Sequence, residues 1–373
     1  MTVRIETIED VLPHISYDDG IHVSKRRNFN VVDYAFVTDN TFANPVACEC
    51  RGLKFDLEGR ILARPFHKFF NVGEREAPEK IEWHEPHVVM DKLDGSMIHP
   101  CVVDGELVLM TRGGISPQAE AALAAADQAL LGLCRELLES GTTPIFEFTS
   151  PENWIVLAYE ETCLTLLAAR ETISGAYASH ETLVKLGSDH GVPVVGTLDP
   201  VRDYKTFIAG SRAMEGVEGY VIAFDSGKRV KLKADAYVLR HKALEGVAYE
   251  KNLLAWIADD ALDDVLPLLP DEIANRVRAY EQNVIARSQE HLSHIAEVVE
   301  AFKDAERKDF AMAVREKVDK RLQGIAFAIR DGNDGRAVIT EMLRRASGSE
   351  NRVEHIRDLF KLEWQGVTEI ADD

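Results

Sequence analysis

The chain has little of what marks secreted or zinc-structured proteins. Its 373 residues include five cysteines, Cys48, Cys50, Cys101, Cys134 and Cys163. This odd and sparse set argues against a disulfide framework. Cys48 and Cys50 form a Cys-x-Cys pair, but no second pair of Cys or His follows at the spacing of a zinc site. We therefore expect buried, reduced thiols in a cytosolic protein.

Long apolar runs and excess positive charge are also missing. No apolar run reaches the roughly 18 to 20 residues that a membrane-spanning helix needs. The first ten residues lack the basic head and apolar core of a secretory signal peptide, so we expect none. The 43 Lys and Arg are outnumbered by 63 Asp and Glu, which gives a net charge of −20. This acidity opposes nonspecific coating of nucleic acid and leaves open recognition by a local basic cleft.

The pattern of strands and helices divides the chain into two predicted domains. Residues 1–247 carry short strands with turn signals, interrupted by a few helices, whereas residues 248–373 show helical periodicity. The predicted fold class is α+β, an α+β domain followed by an all-α domain. We predict strands at 28–37, 46–55, 61–66, 88–90, 97–103, 107–110, 145–149, 163–169, 220–224 and 229–233, and helices at 118–138, 180–186, 204–214, 253–269, 271–303, 309–329 and 337–346.

The stretch Asp91-Lys-Leu-Asp-Gly-Ser96 is the centre of the chemical pattern. It places Lys92 at the end of a predicted strand, beside a glycine that lets a backbone approach a ligand closely. A partly desolvated lysine set beside other cations loses its proton more readily, and its neutral amine is then a nucleophile. Taken alone, Lys-x-Asp-Gly is also compatible with a plain surface turn.

Other charged and aromatic residues recur at predicted strand ends along the same domain. Nucleotidyl transfer needs such a set, because cations offset phosphate charge, carboxylates hold a divalent metal and an aromatic face holds a base. The segments are Arg51-Gly52, His67-Lys68-Phe69-Phe70-Asn71, Thr111-Arg112-Gly113-Gly114, Phe146-Glu147-Phe148, Glu218-Gly219 and Lys231-Leu232-Lys233.

In order and approximate spacing, these segments resemble the motifs of the covalent nucleotidyltransferases. The Arg-Gly and Lys-Phe-Phe-Asn segments are similar to those of the RNA ligase 1 family, typified by the bacteriophage T4 enzyme. The resemblance spans residues 51–242. It implies a nucleotidyltransferase fold of ATP-grasp-like antiparallel sheets with flanking helices at residues 1–247. It also implies an all-helical RNA-specificity domain at residues 248–373.

The resemblance implies an ATP-dependent RNA ligase. Lys92 would attack the α-phosphate of ATP and form a lysyl-adenylate, and the AMP would then pass to the 5′-phosphate of an RNA end. A 3′-hydroxyl would attack that activated end, seal the strand and release AMP. Asp94 and Gly95 would shape the nucleotide pocket. The implied cofactors are ATP and Mg²⁺ or Mn²⁺.

The same resemblance implies contacts for the residues upstream of Lys92. Arg51 and Lys68 would contact the ATP phosphates, and Phe70 would stack on adenine. A core position beside Phe69 is the alternative for Phe70. Where the family usually has a lysine after the next hairpin, this chain has Arg112. Arginine keeps the charge but presents a planar fork, so the phosphate contact is expected to survive while its contribution to rate is in doubt.

The resemblance also implies roles for the carboxylates and cations further along the chain. Glu147 would serve the nucleoside or the metal, and a carboxylate inside an apolar strand needs a partner in any case. Glu218 would hold the divalent cation directly or through water. Lys231 and Lys233 would bind ATP, stabilising the α-phosphate and the leaving group. Without the other motifs, those two lysines would be an ordinary solvated strand face.

In the resembled family the helical domain helps to choose the RNA and favours tRNA broken in the anticodon loop. We therefore expect single-stranded RNA ends as partners, a monomer, and the cytoplasm of a bacterial or phage-infected cell. Basic clusters on the predicted helices would either contact RNA phosphates or form an ordinary salt-paired surface. These clusters comprise Arg315, Lys317, Lys320, Arg321, Arg344 and Arg345.

Two other functions remain compatible with the motifs. A DNA ligase or a capping guanylyltransferase shares the lysine motif, although no stretch of the tail reads as an OB-fold barrel. A catalytically silent RNA-end-binding protein would use the same pocket. Such a protein has no need of a nucleophile, so the intact set of Lys92, Glu218, Lys231 and Lys233 counts against it.

Overall fold

The computed structural model describes residues 3–366, which fall into two compact units. Unit 1 ends at Val238 and unit 2 begins at Leu239. The predicted domain boundary after residue 247 stays a prediction, and residues 367–373 of the predicted second domain lie outside the described residues. Within residues 3–366, no helix is both long and apolar enough to cross a membrane.

Unit 1 is built mainly from short strands. The strands are β1 (Ile21–Lys25), β2 (Asn30–Tyr34), β3 (Leu53–Phe55), β4 (Ile61–Ala63), β5 (Phe70–Asn71), β6 (His87–Lys92), β7 (Ser96–Val103), β8 (Glu106–Met110), β9 (Thr142–Thr149), β10 (Cys163–Glu171), β11 (Thr197–Leu198), β12 (Gly219–Phe224) and β13 (Arg229–Lys233). The helices are α1 (Pro45–Glu49), α2 (Pro117–Ala125), α3 (Gln128–Glu139), α4 (His180–His190) and α5 (Tyr204–Arg212), and α6 (Asp235–Val247) contains the boundary between the units.

The described strands form three sheets. The strand orders are β1-β2-β3-β4, β10-β9-β7-β8 and β11-β6-β12-β13-β5. Neighbouring strands run antiparallel, with the exception of β13 and β5, which pair in parallel at Val230 and Phe70. With the helical C-terminal unit, this arrangement confirms the predicted α+β class of antiparallel sheets followed by helices.

Strand β13 of the five-stranded sheet alternates apolar residues with cations. Successive side chains of a strand point to opposite faces, so Val230 and Leu232 of β13 pack into a buried cluster with Ile222 of β12 and Ile208 of α5. The alternate residues of the same strand are cations. The strand therefore turns its basic side chains away from this core.

Two elements differ from the sequence prediction because local caps override the apolar pattern. The predicted strand 46–55 is wrong over its first half, where Asn44 caps the Ala47 amide and Pro45 opens helix α1. The predicted helix 118–138 is two helices. Asp127 accepts a hydrogen bond from the Leu130 amide and starts α3 anew.

A buried carboxylate joins distant parts of unit 1. Glu49 lies 3.1 Å from Arg64 and 2.7 Å from Arg170, and all three side chains are buried. Burial works to raise the pKa of Glu49, but the two guanidinium groups outweigh it and hold the pKa at about 2. Each arginine also donates to backbone carbonyls, Arg64 to that of Ile173 and Arg170 to that of Pro65. The network therefore ties α1, β10 and the segment after β4 together.

The described residues of unit 2 form helices and connecting loops, without strands. Its helices after α6 are α7 (Glu250–Ala258), α8 (Leu262–Val265), α9 (Asp271–Ala301), α10 (Arg307–Lys317), α11 (Gln323–Arg330), α12 (Gly335–Ala346) and α13 (Glu350–Phe360). Leu253, Val277, Val284, Phe310 and Phe360 are fully buried in its core. The predicted helix 309–329 divides between α10 and α11, and the sequence prediction missed α13.

The five cysteines are free thiols. Cys50, Cys101 and Cys134 are buried, and burial raises the pKa of Cys101 and of Cys134 to about 12. Such thiols are unreactive at neutral pH because thiolate is the reactive form. The expectation of reduced thiols without a disulfide framework agrees with this arrangement.

Replacing Glu49 with glutamine should destabilise unit 1 strongly. The change leaves Arg64 and Arg170 buried without their counter-charge, and breaking a buried pair in this way costs about 3–5 kcal/mol of the free energy of unfolding. Because the folded pKa of Glu49 is depressed, its stabilisation is fully present above its usual pKa of 4.5 and is lost as the pH falls towards about 2.

This loss of stability is measured by urea unfolding in which hydrogen exchange of unit 1 peptides reports the unfolded fraction. The exposed Glu58, which contacts Arg60, supplies the control Glu58→Gln, and surface changes of that kind stay within about 0.5 kcal/mol. Equal urea midpoints for the two variants would show that the buried network contributes nothing.

Candidate active site

A cavity opens between the four-stranded sheet that contains β9 and the five-stranded sheet. It is lined from one side by Met97 and Glu147 and from the other by Lys92 and Lys231, with Arg51 at its wall. Four of the residues predicted from sequence are thus brought together. Arg51 is held there by a contact of 3.3 Å between its Nη1 and the Met97 sulfur.

A buried carboxylate draws two lysines together at the edge of this cavity. Glu218 Oε1 lies 2.8 Å from Lys92 Nζ and 3.0 Å from Lys233 Nζ. The Glu218 side chain is only 1% exposed, and the two lysines are 14% and 17% exposed. Strand register explains the meeting, because Lys92 of β6 and Lys233 of β13 both pair with Gly219 of β12. The predicted nucleophile therefore lies in an ion triad open to solvent on one side.

The glycine of Glu218-Gly219 is required by the sheet. Its φ of +138° lies in the region that favours glycine, and a Cβ there would come within 2.0 Å of the Leu232 carbonyl oxygen. A side chain at this position would force β12 and β13 apart. Gly219 therefore maintains the strand register that sets Lys92 beside Lys233.

Asp94 shapes the site from behind. One of its carboxylate oxygens accepts hydrogen bonds from the amides of Val156 and Leu157, at 2.8 and 2.6 Å, and the other accepts from the Tyr237 hydroxyl at 2.6 Å. The Asp94 amide in turn donates to the Tyr159 hydroxyl. Asp94 is buried, so it fastens the irregular segment 150–162 beneath Lys92. Sequence patterns gave no sign of the two tyrosines.

A hydrogen bond between Gly95 and Glu147 joins the segment between β6 and β7 to β9. The Gly95 amide donates to Glu147 Oε1 at 3.1 Å. A Cβ on Gly95 would come within 2.3 Å of the Phe148 carbonyl oxygen, so glycine permits this close approach. Glu147 is buried in an apolar strand and lines the cavity. The buried carboxylate thus has the partner that its position requires.

The aromatic wall of the cavity is formed by Phe66 and Phe69. Phe70, predicted to stack on adenine, is not in this wall. Neighbouring side chains of an extended segment point to opposite sides, so one of the pair Phe69-Phe70 faces the cavity and the other faces away. The spacing of sequence motifs does not reveal which of them does so.

Phe70 and Lys68 line a second cavity of about 450 Å³. The Lys68 ammonium lies 5.2, 5.4 and 5.8 Å from the ring centres of Tyr34, Phe42 and Phe70, which form an aromatic cage around it. Lys68 therefore does not reach the cavity of Lys92. Its predicted contact with an ATP phosphate stays a prediction.

Arg112 also lies outside the cavity of Lys92. Its guanidinium lies 3.2 Å from Asp33 and 4.6 Å from the centre of the Tyr34 ring. Lys54 is fully buried and holds the loop of Arg112 by donating to the carbonyl oxygens of Gly52 and Arg112. Burial lowers the pKa of Lys54 to about 8.

Arg229 is a cation of the site that the sequence prediction missed. Its Cζ lies 5.2 Å from the centre of the Phe66 ring and 4.1 Å from that of the Tyr177 ring, and it lines both cavities. Burial lowers its pKa. Arg229, Lys231 and Lys233 occupy alternate positions of β13. This period of two could have identified Arg229 as a third cation on the same face of the strand as the two lysines.

The carboxylates at this cavity suit a magnesium ion that is shared with substrate phosphates better than a metal ion that is held by protein ligands alone. Within residues 3–366, no group of three potential ligands converges on a point. Mg²⁺ usually binds through one or two protein carboxylates together with substrate phosphates and water. Glu218 and Glu147 supply carboxylates of that kind at the cavity, so a divalent ion that arrives with a nucleotide fits this donor set.

Three of the six cations in the predicted basic clusters of the helical unit are salt-paired. Arg321 contacts Asp319 and Asp358, and Arg344 and Arg345 both contact Glu341. These pairs favour the interpretation of the clusters as ordinary charged helix surface.

His67, expected to be a structural neighbour of Lys68, bonds the Tyr177 hydroxyl at 2.8 Å, and burial lowers its pKa to about 3.

Comparison with known proteins identifies a family. A family model described as RNA ligase matches residues 49–242, more than half of the chain. A putative RNA ligase from Thermovibrio ammonificans is 35% identical over 260 residues, which cover 66% of this chain and 66% of that protein. RNA ligase 1 of bacteriophage TS2126 is 31% identical over 285 residues, which cover 70% of this chain and 67% of that protein. The matches thus span about two thirds of the length of these curated relatives.

Solved structures with a similar chain path include an archaeal ATP-dependent RNA ligase. The TM-score is 0.47 with 18% sequence identity, and the match covers 64% of this chain and 65% of that one.

Replacing Asp94 with asparagine should loosen segment 150–162. One oxygen becomes an amide group that cannot accept a hydrogen bond, and hydrogen bonds to charged groups are worth about 1.5–3 kcal/mol each. Amide hydrogens of this segment should therefore exchange about tenfold faster or more. The variant Asp225→Asn, on an exposed turn, should leave its exchange unchanged. Unchanged exchange in the Asp94 variant would contradict the positioning role.

Proposed function

The chain belongs to the RNA ligase family whose model matches residues 49–242, and from this premise we propose that it is an ATP-dependent ligase that joins RNA ends. The family predicted from the motifs between residues 51 and 242 is confirmed by this match. The match gives no support to the alternatives of a DNA ligase or a capping guanylyltransferase. The observation that carries the proposal is the triad of Lys92, Glu218 and Lys233 at the edge of the cavity lined by Arg51, Glu147 and Lys231.

In the first step Lys92 Nζ attacks the α-phosphorus of ATP. A phosphorus–nitrogen bond forms and the bond to pyrophosphate breaks, which leaves AMP on the lysine. Glu218 holds the amine at the cavity edge before the nucleotide binds. Lys231 and Lys233, which share one face of β13, offset the charge that develops on the α-phosphate and on the leaving group.

In the later steps the same pocket holds AMP while the RNA ends react. The 5′-phosphate of one RNA end displaces Lys92 from the α-phosphorus, and the 3′-hydroxyl of another end then displaces AMP. The RNA is single-stranded near the break, with tRNA broken in the anticodon loop as the favoured substrate. The ligase acts as a monomer in the cytoplasm, as expected for a role in RNA repair.

The base and the metal are assigned to residues within this cavity. Phe66 and Phe69, which line it, take the adenine face that the sequence prediction gave to Phe70. Arg51 contacts the nucleotide phosphates. Glu218 and Glu147 would hold Mg²⁺ or Mn²⁺ together with those phosphates, and the ion would supply charge neutralisation there.

A silent RNA-end-binding protein is the remaining alternative. Its pocket would need cations and an aromatic wall, but it would gain nothing from a lysine held next to a buried carboxylate. Burying Glu218 is costly unless it is paired, so the triad is an expensive arrangement for binding alone. The ion triad therefore favours an enzyme.

Incubation with magnesium and ATP labelled on its α-phosphate should attach acid-stable label to the chain. The label should be absent from Lys92→Ala, which lacks the nucleophile. Lys233→Gln should form the label about 100-fold more slowly or worse, because it removes one preorganised charge. Lys185→Ala, at an exposed position of α4, is the matched control. Label that persists in Lys92→Ala, or label from GTP in place of ATP, would refute the assignment.

Short single-stranded RNA with a 5′-phosphate should be joined or circularised when ATP and magnesium are present. RNA that already carries a 5′-adenylate should be sealed by Lys92→Ala without ATP, because the lysine acts before that step. Gel analysis of the products measures both reactions. Sealing confined to nicked duplex DNA would contradict an RNA ligase.

A further inference from the structure

The second cavity, defined above by Lys68 and Phe70, carries uncompensated positive charge. Within the described part of the chain, Lys68, Arg75 and Arg229 line it without forming an ion pair with a carboxylate. Of its carboxylates, Glu49 is taken up by the two buried arginines and Glu76 by Lys228. A pocket that gathers cations while its acids are already paired is suited to an anion.

The same cavity offers an aromatic surface. The Arg75 guanidinium lies 4.6 Å from the centre of the half-buried Phe70 ring, and Phe42 meets Phe70 edge to face at 5.8 Å. Aromatic rings beside a basic groove are the usual features with which proteins bind single-stranded nucleic acid, since bases stack and phosphates pair with cations. Its volume of about 450 Å³ lies in the range of small-ligand pockets.

Arg229 gives the second and independent indication of a ligand. The residue is 94% removed from solvent, and its guanidinium contacts the Met90 sulfur at 3.9 Å and bonds Tyr177. Its Nε has no hydrogen-bond partner within residues 3–366, and no carboxylate offsets its charge. Arg170 lies close enough to oppose it further. Buried charges are normally paired, so the missing counter-charge points to an anionic group supplied from outside.

We propose that this second cavity binds a nucleotide of the single-stranded RNA substrate, with the base against Phe70 and a phosphate at Arg75 and Arg229. The inference rests on the proposed function and extends it to the substrate. The two cavities share Phe69 and Arg229 in their walls. A strand held in the second cavity therefore lies beside the nucleotide cavity that contains Lys92.

Position along the sheet places the second cavity away from Lys92. Arg229 lies four residues before Lys233 on β13, which corresponds to roughly 13 Å at the rise of a strand, whereas Lys233 and Lys92 meet at Glu218. The second cavity contains neither Lys92 nor its ion partners. ATP must place its α-phosphate at Lys92, outside the second cavity, and we assign the second cavity to the other substrate, RNA.

Binding of a short 5′-phosphorylated oligoribonucleotide with a 3′-fluorescein, followed by anisotropy across a salt titration, tests this site. Arg75→Gln and Arg229→Gln should each weaken binding about tenfold and reduce the magnitude of the salt slope by about 0.7, the value for one lost phosphate contact on a single strand. The control Arg212→Gln, at an exposed position of α5, should match the wild type. Wild-type slopes in Arg75→Gln overturn the proposal, and this exposed position decides the test if the buried Arg229→Gln fails to fold.

A competition experiment identifies the occupant. Adenosine 5′-(α,β-methylene)triphosphate with magnesium should leave the labelled RNA bound, because the two ligands occupy different cavities. Displacement of the RNA would assign the second cavity to ATP and overturn the proposal. Binding is measured without any reaction, so a protein that binds RNA here but never forms the lysyl-adenylate refutes the proposed function alone.

Discussion

The candidate active site of unit 1 depends on one buried carboxylate that lies between two amines. Glu218 is nearly inaccessible to solvent, and Lys92 and Lys233 reach it from β6 and β13, with β12 between them. Leaving such a carboxylate unpaired would cost several kcal/mol. The three strands must therefore keep a register in which both lysines point to the same spot, and Gly219 is the residue that permits this register.

Unit 1 buries its positive charges in two different ways. Arg64 and Arg170 are internally compensated by Glu49, and they also donate to backbone carbonyls. Arg229 lies on aromatic rings with no carboxylate beside it. The first arrangement is complete within the chain and serves the fold. The second leaves the charge without a carboxylate and, in our proposal, receives an anion from the ligand, which is a physical criterion for separating structural cations from binding ones.

The sequence was sufficient to predict the fold class, most strands of unit 1 and the residues that meet at Glu218. These features follow from motifs at strand ends and from alternation along β13, which are local properties. The misplaced strand at 46–50 and the divided helix at 118–138 depend on single capping residues that outweigh an apolar pattern. The choice between Phe69 and Phe70 depends on the direction in which one short strand enters the sheet.

Other parts of the site were beyond the reach of sequence motifs because they depend on long-range packing. Tyr159 and Tyr237 reach the Asp94 segment from positions 65 and 143 residues further along the chain. Lys68 is of the residue type expected of a phosphate ligand, but its aromatic cage includes Tyr34 and Phe42, which precede it by a helix and two strands. A motif specifies the type of side chain, whereas these tertiary neighbours determine which ligand it can reach.

The common wall of the two cavities has a thermodynamic consequence. Phe69 and Arg229 belong to both, so any shift of these side chains on filling one cavity alters the surface offered by the other. Linkage then requires reciprocity, in which each occupant changes the affinity of its neighbour by the same factor. Phe69 and Arg229 are therefore the two residues through which the occupants of the two cavities would influence each other's affinity.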